Sequence, residues 1–78
     1  MASFEVRVVN DDEKGLSGVR VRLSFKGLTR GIAPEEYTDS DGSAYFIGYE
    51  EGDIAVYIDG RDCGSYYYED GGSITITK

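Results

Sequence analysis

Gly18-Val19-Arg20-Val21-Arg22-Leu23-Ser24-Phe25 alternates apolar and polar side chains without a break, the period of an extended strand with one face against a core. It places Val19, Val21, Leu23 and Phe25 inside and leaves Arg20, Arg22 and Ser24 in water. The same period runs upstream through Phe4-Glu5-Val6-Arg7-Val8-Val9, where Phe4, Val6 and Val8 share a side. Between the two lies Asn10-Asp11-Asp12-Glu13-Lys14-Gly15, a run of turn-forming residues.

Downstream, Lys26 to Glu36 holds Gly27, Gly31 and the single proline, Pro34, and reads as a long irregular crossing between sheets. A short third strand is expected around Glu36 to Thr38. Thr38-Asp39-Ser40-Asp41-Gly42-Ser43-Ala44-Tyr45-Phe46 is a polar tight turn, marked by Asp41-Gly42, that runs into a strand from Ser43 to Ile47. Gly48 to Gly52 connects to Asp53–Ile58, with Ile54, Val56 and Ile58 on one face, and Asp59-Gly60 closes that strand. A last pair, Gly64 to Glu69 and Ser73 to Thr77, is joined through Asp70-Gly71-Gly72. No stretch repeats its apolar residues at helical spacing, and eleven glycines interrupt the candidates. Six to seven short strands predict an all-β chain: a single antiparallel β-sandwich of Greek-key type spanning residues 1–78 as one domain. Its two layers should enclose Phe4, Val21, Phe46, Val56 and Ile76.

The register of the last pair decides which of three consecutive tyrosines is buried. A loop of two or four residues puts Tyr67 beside Ile74 and Ile76 and leaves Tyr66 and Tyr68 outside with Thr75 and Thr77; a three-residue loop reverses this. The even loop is favoured because it keeps the threonines wet. Tyr66, Tyr68 and Thr75 then form an exposed strip able to stack on sugar rings or anchor a protein partner. Aromatic cross-strand pairing that merely stabilises the sheet is the plainer reading.

Composition excludes several functions. Fifteen acidic against eight basic residues give a formal net charge of −7, which disfavours nucleic acid and anionic membrane surfaces as partners. No apolar run approaches the roughly 18 residues of a spanning helix. Met1-Ala2-Ser3-Phe4-Glu5 lacks the basic-then-apolar plan of a secretory leader, leaving a cytoplasmic chain or an extracellular one excised from a multimodular protein. Cys63 is the only cysteine and no histidine is present, so an intrachain disulfide is impossible, the usual activating base for a thiol nucleophile is missing, and zinc or copper chemistry loses its commonest ligand. No cofactor is expected on this ground, calcium excepted. Asp39, Asp41, Glu50 and Glu51 are the acidic-loop candidates for calcium, but aligning Gly42 with the glycine of an EF-hand loop puts Tyr37 and Gly48 at two ligand positions, so solvated turns are the plainer reading. Arg20 and Arg22, with Arg7 on a neighbouring strand beside Glu5, are expected to form the one basic patch, suited to cross-strand ion pairing or to an acidic partner.

Gly18-Val19-Arg20-Val21 and Thr38-Asp39-Ser40-Asp41-Gly42-Ser43-Ala44-Tyr45-Phe46 resemble the signature of prealbumin-like and Ig-like β-sandwich modules, the group of carboxypeptidase regulatory-like domains, bacterial Ig-like repeats and Cna B-type repeats. The resemblance implies that Asp39, Asp41 and Gly42 shape a turn and that Phe46 enters the core. Cna B-type repeats often join a lysine of the first strand to an Asn or Asp of the last. Here the first strand offers Arg7 and the last offers threonines and Lys78. The hydrolases related to transthyretin need histidines, which this chain lacks. The reading is a noncatalytic structural or adhesive module, part of a larger protein or a small stand-alone binder. A carbohydrate- or calcium-dependent binding module is the alternative.

Overall fold

The computed structural model describes residues 2–25, 34–49 and 51–78. Seven strands form two sheets: β1 (Ala2–Val9), β2 (Arg20–Phe25), β3 (Glu35–Tyr37), β4 (Ser43–Tyr49), β5 (Gly52–Ile58), β6 (Arg61–Tyr68) and β7 (Gly72–Thr77). One sheet has the order β4-β1-β7 and the other β3-β2-β5-β6. The fold is an all-β sandwich.

Period-two alternation decides what lies between the layers. β1 sends in Phe4, Val6 and Val8, and Ala44, Phe46 and Ile76 of β4 and β7 complete that wall; β2 sends in Val21, Leu23 and Phe25 and β5 sends in Ile54, Val56 and Ile58 from the facing sheet. Phe4, Val21, Phe46, Val56 and Ile76 are all buried in one cluster, as expected. Each such side chain removed from water contributes about 1.5–3 kcal/mol, so a chain this short depends on nearly all of them.

Three expectations on connectivity are corrected. β1 and β7 run parallel, Phe4 opposite Gly72 through Val9 opposite Thr77, whereas the other four ladders are antiparallel. β2 and β3 are antiparallel neighbours in one sheet. The segment expected as a crossing between sheets therefore joins strands of the same sheet, and its residues 26–33 lie outside the described ones. β6 and β7 belong to different sheets, so Asp70-Gly71 carries the chain across the sandwich and closes no hairpin. Gly71 N–H donates to Ser3 O at 2.8 Å, and Asp70 Oδ1 accepts from Ser3 N–H at 3.0 Å, fastening that crossing to the start of β1.

The expected hairpin at Asp59-Gly60 is present. Both residues have positive φ, 52° and 85°, the pairing that a two-residue turn between twisted strands requires.

Candidate functional site

The acidic turn that resembles a family signature is spent on scaffold. Asp39 Oδ1 accepts from the N–H groups of Asp41 (2.9 Å) and Ser43 (3.1 Å), and Gly42 N–H donates to Asp39 O at 3.0 Å. A short side chain bonding two residues onward is the usual way Asp closes a turn. Thr38 is buried, its Oγ1 accepting from Val19 N–H at 2.9 Å and donating to Leu16 O at 2.5 Å. That hydroxyl ties the entry of β2 to the exit of β3.

The three calcium candidates among the described residues, Asp39, Asp41 and Glu51, are not brought together. Asp39 and Asp41 precede β4, Glu51 follows it, and Glu50 lies outside the described residues. Seven residues of strand separate the two acidic groups by roughly 20 Å. Glu51 instead accepts from Asp70 N–H at 2.8 Å, and no group of three metal-ligating side chains occurs among the described residues.

The tyrosine register is the reverse of the expected one. Tyr68 is 0% exposed, Tyr66 is half-buried and Tyr67 is 53% exposed. Tyr68 lies among Phe4, Phe25 and Tyr49 at centroid distances of 5.1, 5.1 and 6.1 Å, and its hydroxyl donates to Phe46 O at 3.2 Å. Burial raises its pKa above 10.0. Tyr66 donates to Cys63 O at 3.3 Å, and Thr75 stands exposed on the other sheet, opposite Arg7. The expected strip does not exist.

Two causes account for this. The β6–β7 hairpin from which the register was reasoned is absent, and β6 carries a bulge. Tyr57 opposes Asp62 and Ala55 opposes Ser65, so Cys63 and Gly64 together face Val56. The extra residue, with Gly64 at φ 109°, shifts the alternation by one and turns Tyr66 and Tyr68 inward. Cys63 packs half-buried against the core beside it.

The basic patch also differs from expectation. Arg7 lies on β1 in the opposite sheet, between Ser43 and Thr75. Arg20 and Arg22 point outward from β2, as expected, and their neighbours are tyrosines: Tyr37 of β3 opposes Arg20, and Tyr57 of β5 opposes Arg22. Arg20, Arg22, Ser24 and Tyr57 line one shallow depression on the outer face of the four-stranded sheet. Arg20 Nε lies 3.7 Å from Glu35 Oε2, both side chains well exposed. Among the described residues Arg22 forms no ion pair. The tyrosines' part in this face was missed because their cross-strand partners depend on pairings that residue spacing does not reveal. On the three-stranded sheet, Tyr45 and Ile47 are exposed side by side on the outer face of β4.

No family model and no curated protein matches the chain. Solved structures do. The Bacillus anthracis TIE protein superposes on 99% of this chain with a TM-score of 0.73 at 12% identity, over 16% of its own length. A DUF3823 family protein from Bacteroides uniformis superposes on 97% with a TM-score of 0.62 at 23% identity, over 41% of its length. At these identities the likeness is one of fold, and this chain spans less than half of either neighbour.

Proposed function

We propose that the chain is a noncatalytic, load-bearing module that spaces other parts of a longer polypeptide. The observation that carries this reading is the parallel β1–β7 ladder. The chain enters β1 beside Gly72 and leaves β7 beside Val9, at opposite ends of one strand pair. Tension applied through the two ends of the domain slides β1 along β7 and loads the whole ladder at once. Lys78 N–H bonds to Val9 O at 2.8 Å and Gly71 N–H to Ser3 O at 2.8 Å, extending the ladder at both ends. Resistance to forced unfolding is set by the unfolding rate, and a ladder that must break cooperatively slows that step. Both structural neighbours carry this fold as a part of longer chains, as a spacer would be carried.

The test is single-molecule extension in two geometries. Handles at the two ends of the domain shear β1 against β7. Handles at Ser3→Cys and Ser73→Cys, in a Cys63→Ala background, pull the same strands apart from one end. The spacer reading expects a clearly higher rupture force in the first geometry. Equal forces would show that this ladder is not what resists, and would remove the proposal.

A further inference from the structure

We propose that the outer face of the β3-β2-β5-β6 sheet binds a sugar carrying an isolated carboxylate or sulfate, held by Arg22 and Arg20 and stacked on Tyr57 or Tyr37. The inference goes beyond the spacer reading and rests on different residues.

Four observations lead to it. Among the described residues, Arg22 is exposed on a central strand and forms no ion pair, and Arg20 pairs with Glu35 at 3.7 Å on open surface, with Asp59 near enough to feel its charge. An exposed pair of that length is weak and exchanges readily for a better anion. Ladder register puts Tyr57 beside Arg22 and Tyr37, 61% exposed, beside Arg20, so each guanidinium fork has a phenol ring next to it. A planar guanidinium takes a carboxylate or sulfate through two parallel hydrogen bonds, while a phenol ring offers a flat apolar surface with a polar tip. Finally, Ser24 and its cross-strand partner Ala55 are small and keep the ground beside Arg22 and Tyr57 low.

The surroundings narrow the occupant. Glu35 and Asp62 end the row that runs through Arg22 and Tyr57, so the face accepts single, spaced negative charges and repels a dense run of them. An acidic peptide strand would add to a sheet edge through backbone bonds, but β2 is paired on both sides and offers it none. A sugar needs no backbone ladder. Of the acidic turns, the one holding Asp59 reaches this face: its Oδ1 accepts from Arg20 N–H at 3.3 Å and its carboxylate is engaged by Lys78, so Arg22 is the more open of the two anion-binding groups.

The experiment titrates the domain with three oligosaccharides: one alternating uronate and neutral sugars, one sparsely sulfated, and one neutral. It is followed by amide and guanidinium NMR shifts, with a glutamate-rich peptide alongside. One or both charged sugars are expected to bind, the stronger identifying carboxylate or sulfate as the group recognised, with shifts centred on Arg22 and affinity falling as salt rises. Arg22→Gln should weaken binding about tenfold or more, while Arg7→Gln on the other sheet leaves it unchanged. Both are exposed substitutions whose fold the same spectra verify. Equal binding of the neutral sugar, equal loss in Arg7→Gln, tighter binding of the peptide, or no binding of either charged sugar would each overturn the proposal.

Discussion

Gly15 and Gly42 meet backbone to backbone: a methyl group built on Gly42 would lie 2.6 Å from the Cα of Gly15, and one on Gly15 would lie 2.0 Å from the carbonyl oxygen of Asp41. The loop after β1 and the turn before β4 are thus stacked through two residues that have no side chain. Val8 joins both, its N–H donating to Gly42 O at 2.8 Å and its carbonyl accepting from Leu16 N–H at 2.9 Å. Gly42→Ala should cost about 3 kcal/mol or more, combining a left-handed φ of +83° with a clash against backbone. Gly18→Ala is the control: its φ is +72° but nothing lies within 4 Å of the added methyl, so about 1 kcal/mol is expected. Urea midpoints of the two variants would separate strain from contact.

Thr38 makes a second prediction. Replacing it with Val leaves a buried Val19 N–H and the Leu16 carbonyl without their hydroxyl partner, a loss of about 2 to 3 kcal/mol. Thr38→Ser keeps the oxygen and should lose distinctly less. If the two variants melt together, the hydroxyl is not the link between β2 and β3.

The tyrosines give a third. Tyr68→Ala should cost about 3 to 5 kcal/mol, as an aromatic core truncation does, and Tyr67→Ala less than about 0.5 kcal/mol. The opposite ranking would restore the register expected from an even hairpin loop.

Tyr68 also sets a pH dependence. Its folded pKa is raised, chiefly by desolvation, so the folded state holds the phenol proton more tightly than the unfolded chain. The associated stability is complete below the unfolded pKa near 10 and is lost as pH rises through the higher folded value. Midpoints measured from pH 8 to 12 should fall more steeply for the native chain than for Tyr68→Phe. Parallel curves would contradict the burial.

At the opposite end of the scale, Asp59 has its pKa lowered below 3.8, first by its hydrogen bond with Lys78 and then by the N–H of Arg20. A depressed carboxylate stabilises the fold above its unfolded pKa and ceases to do so as pH falls through the folded one. Because the pair is open to solvent, the cleaner readout is the Asp59 carboxyl titration by NMR. Lys78→Met should move it back up toward 3.8, and high salt should do part of the same.

What was legible in the sequence followed from Cβ direction. Val19, Val21, Leu23 and Phe25 could be assigned inward, and Ile54, Val56 and Ile58 with them, because each run keeps strict alternation over its own length. Phe46 at the end of the Thr38–Phe46 segment also lies in the core. Partnership was not legible, since nothing in local spacing says that β7 lies beside β1 rather than β6. From that ambiguity, with the bulge in β6, came the wrong hairpin and the strip of Tyr66, Tyr68 and Thr75, and Arg7 was misplaced because β1 lies in the other sheet from β2. The calcium candidates dispersed for a related reason: neighbours in sequence across β4 sit at its two ends.

Gly64 is in effect a half-step in a two-beat rhythm. It has no partner of its own opposite, so taking it out would straighten β6 while Ser65 to Tyr68 keep Ala55 to Gly52 as their partners, with Tyr66 and Tyr68 still facing inward. What would aim Tyr67 at the core and hand Tyr66 and Tyr68 to water is the same chain with the extra residue pressed flat into the ladder, so the irregularity itself, and not the strand's length, keeps the aromatic end dry.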